Sequence, residues 1–338
     1  MPSPGPTCRP ERRRRGATPA MDAISPALAA AKFTDPDTTA RGERRARVAL
    51  TALRTLWFNT GTLCNIACTD CYIESSPRND RLVFLRRAEV QGFLAEAAIH
   101  HPELREIGFT GGEPFLNPEL PAMMEDALMA GHRVLVLTNA MRPMQRPKSR
   151  AALLSLVARF PGRLTLRVSL DHYTALRHEA LRGPGSWRET LDGLLWLAAH
   201  GFDLAIAGRT RWGESEAALR AGFAALFARL GLALDATQPA KLVLFPEMDP
   251  SADVPEITES CWGILGKNPD AMMCASARMV VRRKDSAGPA VLACTLLAYD
   301  QGFELGPTLA AASRPVALNH RFCAEFCVLG GASCSPGA

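Results

Sequence analysis

The chain has 338 residues, 47% of them apolar and 22% charged, with a formal net charge of +5. That composition supports a sizeable buried core and more than one ordinary domain, and it excludes a short peptide or an unfolded polyelectrolyte. Five arginines (Arg9 and Arg12 to Arg15) against Glu11 put +4 of the charge within residues 1–20, so only +1 is left for the remainder and a nucleic-acid groove is not expected.

Residues 1–21, rich in Pro and Arg, are expected to be a disordered tail, and they lack the apolar core of a secretory signal. No apolar run approaches the about 18 residues that a membrane span needs, so a cytoplasmic protein without a membrane partner is expected. Residues 22–55 read as a lead-in region with one helix over about 41–53. Residues 56–248 alternate short apolar runs with amphipathic segments. The predicted strands are Leu56–Asn59, Glu106–Phe109, Arg133–Thr138, Leu164–Ser169, Phe202–Ala207 and Lys241–Phe245. Between them, Leu219, Phe223, Leu226, Phe227 and Leu230 recur at helical spacing, as do Leu191, Leu194, Leu195 and Ala198. This pattern predicts an α/β fold, a partial (β/α)6 barrel whose strand C-termini build the site. Residues 249–338 form the expected smaller, cysteine-rich domain.

The ten cysteines are unevenly spread. Cys64, Cys68 and Cys71 form one tight group, none occurs from 72 to 260, and Cys261, Cys274, Cys294, Cys323, Cys327 and Cys334 follow. A chain of this size without an export signal suggests metal sites rather than a disulfide framework. Cys64-x3-Cys68-x2-Cys71 follows the first predicted strand and Gly61. Zinc sites and most iron–sulfur sites use four ligands, so three cysteines leave one iron of a [4Fe-4S] cluster open to a ligand that is not protein. A structural zinc knuckle with a distant fourth ligand is the competing reading.

Further along lies FTGGEPFLNPEL, in which Gly111 and Gly112 permit close backbone approach and Glu113 can accept hydrogen bonds from an ammonium. Then come VLVLTNAM and LRVSLDHYTALRHEALRGPGSW. Together these segments resemble the radical S-adenosylmethionine (SAM) enzymes. The resemblance implies that Cys64, Cys68 and Cys71 hold the catalytic [4Fe-4S] cluster and that its open iron binds the amino and carboxylate groups of SAM. One electron then splits the sulfonium, and the 5′-deoxyadenosyl radical abstracts a substrate hydrogen. It also implies that Tyr72, Gly111, Gly112, Glu113, Asn139, Ser169, Asp171 and Arg182 surround the cofactor. In that reading Glu113 meets the methionine amino group and Arg182 the carboxylate. The chain departs from the family pattern at Asp70, where many members carry an aromatic residue or histidine, at Ala140 in place of the glycine of TNG, and at His172 in place of glycine. His172 and His178 are more readily read as satisfied surface or core groups than as substrate contacts. Arg209 and Arg211 are candidates for an anionic substrate.

The second cysteine group surrounds a predicted hairpin, MVVRRK–turn–AVLAC, with Asp285, Ser286 and Gly288 in the turn. It resembles the SPASM or twitch domain of the same enzymes. By that resemblance Cys274, Cys294, Cys323 and Cys327 hold at least one auxiliary [4Fe-4S] cluster, with Cys261 and Cys334 as replacement ligands. Two clusters or a zinc site could also be drawn from these six. The expected function is that of an oxidoreductase or maturase-type enzyme acting on a peptide, a protein or a small metabolite. The implied partner is an external one-electron donor such as flavodoxin or ferredoxin. The alternatives are a non-enzymatic zinc or nucleic-acid module and an RNA-modifying radical SAM enzyme.

Overall fold

Apolar runs too short for helices, each closed by a turn or loop, become one parallel sheet between residues 55 and 245. The structure is a computed structural model that describes residues 31–248 and 252–331; the expected tail therefore lies outside the described residues. After a two-residue strand β1 (Arg47–Val48) come β2 (Thr55–Asn59), β3 (Glu106–Thr110), β4 (Arg133–Thr138), β5 (Leu164–Ser169), β6 (Asp203–Arg209) and β7 (Leu242–Phe245). These six pair in sequence order and in parallel. All six predicted strands are present, with ends that differ by at most two residues.

Alternation along each strand assigns the two faces of the sheet. Phe58 stacks on Phe109 at 5.8 Å and meets Phe93 edge-on at 6.3 Å, in the helix α1 (Arg87–His100). On the other face Trp57 covers Gly108, where a Cβ would lie 2.3 Å from the indole ring. The crossovers after α1 are α2 (Leu120–Met129), α3 (Arg142–Gln145) with α4 (Pro147–Arg159), α5 (Ala175–Arg182) with α6 (Ser186–Ala199), and α7 (Glu216–Arg229). Ser215 caps α7 by accepting from the Ala218 amide at 3.2 Å, and Leu219, Phe223, Leu226 and Phe227 are buried as the spacing predicts. In α6 the buried face is Gly193, Leu194 and Leu197 instead, and Leu195 is exposed. The cause is Gly193, which packs so closely that a Cβ would lie 1.9 Å from the Ala140 carbonyl oxygen.

The predicted hairpin forms from β8 (Ala277–Val281) and β9 (Ala290–Leu292), and β10 (Glu304–Gly306) pairs with β9. Strand β8 adds to β2 in parallel, giving the nine-strand order β10-β9-β8-β2-β3-β4-β5-β6-β7. The expected separate domain over 249–338 is therefore divided. Ala277–Ser313 belong with Ala52–Phe245 in one compact unit.

The second unit draws on the N-terminal segment to Thr51, on Pro246–Ser276 and on the C-terminal segment from Arg314. The lead-in helix expected over about 41–53 is absent. Its place is taken by β1, paired antiparallel with β11 (Val316–Ala317), and by bonds from the Ala46 amide to the Ile257 carbonyl and from the Thr51 amide to the Ala275 carbonyl. Tertiary pairing overrides a weak local helix preference here. A buried ion pair anchors the segment. Arg45 Nη2 meets Glu256 Oε1 at 2.6 Å, and the carboxylate also accepts from the Phe33 and Ala40 amides. With every charge hydrogen-bonded, the pair is tolerated away from water. The described unit includes the short helix α8 (Cys261–Leu265) and closes in a π-helical turn over Cys323–Leu329.

Candidate functional site

The loops that leave the C-terminal ends of β2 to β6 carry the predicted motifs. After β2 the chain enters a loop with little regular structure, whose path is fixed by backbone bonds. The Thr60 amide donates to Thr110, the Thr62 amide to Leu82 and the Cys64 amide to Ser76. The Gly-Gly turn lies directly against this loop. The Gly112 amide donates to the Gly61 carbonyl at 2.9 Å, and the Glu113 amide to the Leu63 carbonyl at 3.0 Å. Gly111 has φ +140, and a Cβ there would lie 2.5 Å from the Gly61 oxygen; one on Gly112 would lie 2.2 Å from the Leu63 oxygen. Only glycine allows so close an approach.

Cys64 is buried, Cys68 and Cys71 are half-buried, and all three are free thiols. Burial pushes the Cys64 thiol up to about 12, with the negative charges of Glu113 and Cys68 adding to it. Burial also raises Cys68, against the opposing pull of Arg182. Cys64 and Cys68 are thus close enough to feel one another, and burial disfavours the charged form of each. That donor chemistry fits an iron–sulfur cluster. Among the described residues, no three His, Cys, Asp or Glu side chains converge tightly enough for a single metal ion.

Glu113 is almost wholly buried and accepts from Thr138 Oγ1 at 2.9 Å, the Asn139 amide at 2.8 Å and the Phe115 amide at 3.2 Å. Burial pushes its carboxyl up to about 7 despite those donors and the Arg182 charge. It bolts β3 to β4 and keeps capacity for about one further donor, since a carboxylate offers about four acceptor positions. Asn139 donates to Asn65 Oδ1 at 2.9 Å and so joins the end of β4 to the cysteine loop. Ala140 adopts φ 57, a left-handed conformation that glycine takes more cheaply.

Ser169 ends β5, half-buried and in register with Ala207 of β6. Two residues on, Asp171 receives Arg182 in a two-point ion pair, Nε to Oδ2 at 2.5 Å and Nη2 to Oδ1 at 3.2 Å. Burial opposes the Asp171 charge, yet the Arg182 charge and hydrogen bonds hold its carboxyl below the usual range. The Thr69 amide donates to the Leu181 carbonyl at 2.8 Å, which ties the cysteine loop to the end of α5 where Arg182 stands. The guanidinium expected to face a ligand carboxylate thus gives two of its donors to Asp171. Tyr72 is 40% exposed, beside the cysteine group.

His172 is buried in a closed network, with Thr174 Oγ1 at 2.9 Å and Glu214 Oε2 at 2.9 Å, and Trp212 lies edge-on at 4.8 Å. Tyr173 and Arg177 also bond to Glu214. That is the core role expected of it. His178 is buried against Trp187 with both ring nitrogens unbonded, and burial pushes it down to about 4. Arg211 pairs with Asp70. The motifs did not point to Asn65, Trp212 or Glu214. A loop of Trp, Gly and Glu directly after β6 was the only signal for Trp212 and Glu214, and Asn65 stands inside the cysteine loop itself.

In the second group Cys274, Cys294, Cys323 and Cys327 form no disulfide, while Cys261, buried at the start of α8, is disulfide-bonded. Cys334 lies outside the described residues. Cys323 and Cys327 both stand on the π-helical turn, a geometry that often marks functional positions.

Residues 58–210 match the family model of the Radical SAM superfamily. They are a radical SAM domain. The family's cofactors are a [4Fe-4S] cluster and SAM, and the matched span contains the cysteine loop, the Gly-Gly turn and the Asp171–Arg182 pair. The antilisterial bacteriocin subtilosin biosynthesis protein AlbA of Bacillus subtilis (strain 168) is 27% identical over 146 residues, 43% of this chain and 30% of AlbA. The mycofactocin maturase MftC of Mycobacterium ulcerans (strain Agy99) is 28% identical over 139 residues, 41% of this chain and 35% of MftC. The chain thus spans about a third of the length of these curated relatives. Among solved structures, Streptococcus suis SuiB bound to S-adenosylmethionine superposes with a TM-score of 0.55 at 11% identity, covering 76% of this chain and 63% of SuiB. Native anSMEcpe with bound AdoMet gives 0.55 at 14% identity, covering 79% and 82%. At these identities the likeness is one of fold. No described helix is long and apolar enough to cross a membrane.

Proposed function

We propose that this chain is a radical SAM maturase that modifies a peptide or protein. The observation that carries the reading is the packing of the Gly-Gly turn onto the cysteine loop, which brings Cys64, Glu113, Asn139 and Asn65 into one buried network. Bound there, a reduced [4Fe-4S] cluster supplies the electron that converts SAM into the hydrogen-abstracting 5′-deoxyadenosyl radical. The chain's own residues orient and shield. Cys64, Cys68 and Cys71 hold the iron. Gly111 and Gly112 let backbone approach the cofactor, and Glu113 has room for an ammonium donor. Arg182, fixed by Asp171, sets positive charge beside the thiolates. Asn139, Ser169 and Tyr72 border the cofactor. The names of the relatives AlbA and MftC favour maturation of a polypeptide over a small metabolite.

The second cysteine region supplies an auxiliary cluster in this reading, with Cys274, Cys294, Cys323 and Cys327 as the preferred ligands. There it would supply an acceptor for an electron from the substrate, which would make the net reaction an oxidation, and flavodoxin or ferredoxin would be the external one-electron donor. The test is anaerobic reconstitution with iron quantification and Mössbauer spectroscopy. Wild type is expected to be brown and to hold about eight irons, four per cluster, and the Cys64/Cys68/Cys71 triple-alanine protein about four. A colourless zinc protein would overturn the reading. Peptide modification is tested by mass change of a candidate substrate in the presence of SAM and reductant.

A further inference from the structure

The loop that follows Cys294 is fastened to the loop that follows Cys71 through Tyr299, and the hairpin turn after β8 adds bonds beside it. Tyr299 Oη donates to the Ile73 carbonyl at 2.7 Å, two residues after Cys71, and accepts from Asn79 Nδ2 at 3.1 Å. The Arg81 guanidinium lies over the Tyr299 ring at 3.6 Å and pairs with Glu74 at 2.6 Å. Backbone bonds run alongside. The Val83 amide donates to the Arg282 carbonyl and the Lys284 amide to the Arg81 carbonyl, each at 2.9 Å. Lys284 Nζ meets Asp80 at 2.6 Å. Asn79 reaches the other way as well, its carbonyl accepting from Thr62 Oγ1 at 3.1 Å, two residues before Cys64.

We propose that Tyr299 is a positioning residue that fixes the Cys294 loop to the Cys71 loop and so sets the spacing between the first cluster and the centre served by Cys294. The inference rests on the reading of two iron centres given above. A redox relay through this tyrosine is disfavoured by the same contacts. Its hydroxyl hydrogen points to an amide carbonyl, which is no proton acceptor, and a cation sits on its ring face, where it opposes electron loss. The role left is mechanical. The phenol bridges two loops that lack regular structure and would otherwise open separately.

The test is hydrogen exchange by mass spectrometry on the full chain, wild type and Tyr299→Phe, before and after anaerobic reconstitution. The substitution keeps the ring and the Arg81 stack and removes both hydroxyl bonds. Exchange is expected to rise about fivefold or more in both 72–79 and 294–300, the equilibrium weight of about one net hydrogen bond. Iron content should stay unchanged, and the magnetic coupling between the reduced clusters seen by EPR should change. Faster exchange in one loop only, or in neither, would overturn the proposal. Should the variant fail to fold, wild type alone decides, because the two loops must then share one opening free energy. Wild type with coupled exchange but no second iron centre would instead overturn the reading of the cysteines and leave the fastening itself intact.

Discussion

Arg182 and Asp171 meet in a buried two-point ion pair, Nε to Oδ2 at 2.5 Å and Nη2 to Oδ1 at 3.2 Å, at the mouth of the sheet. Their side chains are only 13% and 6% exposed, so neither charge is well solvated without the other. The pair fixes a cation beside Cys68 and Cys64, both of which carry its electrostatic imprint.

Asp171→Asn should therefore destabilise the apo-protein by about 3–5 kcal/mol, the usual result of stranding one member of a buried pair. Urea unfolding measures it. Because the Asp171 carboxyl is held below its usual range, the wild-type advantage is present above about pH 4. It is lost as pH falls through the still lower folded value. SAM affinity should weaken in the same variant, since Arg182 is no longer fixed.

Glu113 gives the opposite pH dependence. Its folded carboxyl is pushed up to about 7, so the native state holds a proton that the unfolded chain releases. The contribution to stability is full below about pH 4.5 and is lost as pH rises through about 7. Glu113→Gln should abolish that slope. The difference between wild-type and variant unfolding curves from pH 4 to 8 reads it. With the cluster retained, the variant should bind SAM more weakly at pH 8.

Gly112→Ala places a Cβ 2.2 Å from the Leu63 carbonyl oxygen, and no flexible side chain is there to yield. The strain of about 1–3 kcal/mol expected for such overpacking falls on the backbone that leads to Cys64. The folded variant should take up less iron at the first site. Wild-type iron content and SAM cleavage would refute the packing argument.

How much of this was legible in the sequence depended on range. Leu164–Ser169 and Arg133–Thr138 were visible end to end, because a short apolar run between turns has few other fates. The cysteine spacing and the Gly-Gly-Glu turn were visible because their chemistry is local. The partner of β8 was not, since nothing in Ala277–Val281 names β2 as its neighbour. The helix expected over about 41–53 failed for the same reason, its backbone being claimed by residues far along the chain. Asp70 and Arg211 pair across 141 residues, which no local spacing announces. Tyr299 finds Ile73 across 226.

The most direct test of the central claim is production of 5′-deoxyadenosine from SAM by the anaerobically reconstituted, dithionite-reduced protein. Wild type is expected to form it. Each of Cys64→Ala, Cys68→Ala and Cys71→Ala should reduce formation to background while iron persists at the second cysteine region. Undiminished 5′-deoxyadenosine in any one of the three variants would contradict the assignment of that cysteine, and its absence in iron-loaded wild type would contradict the account as a whole.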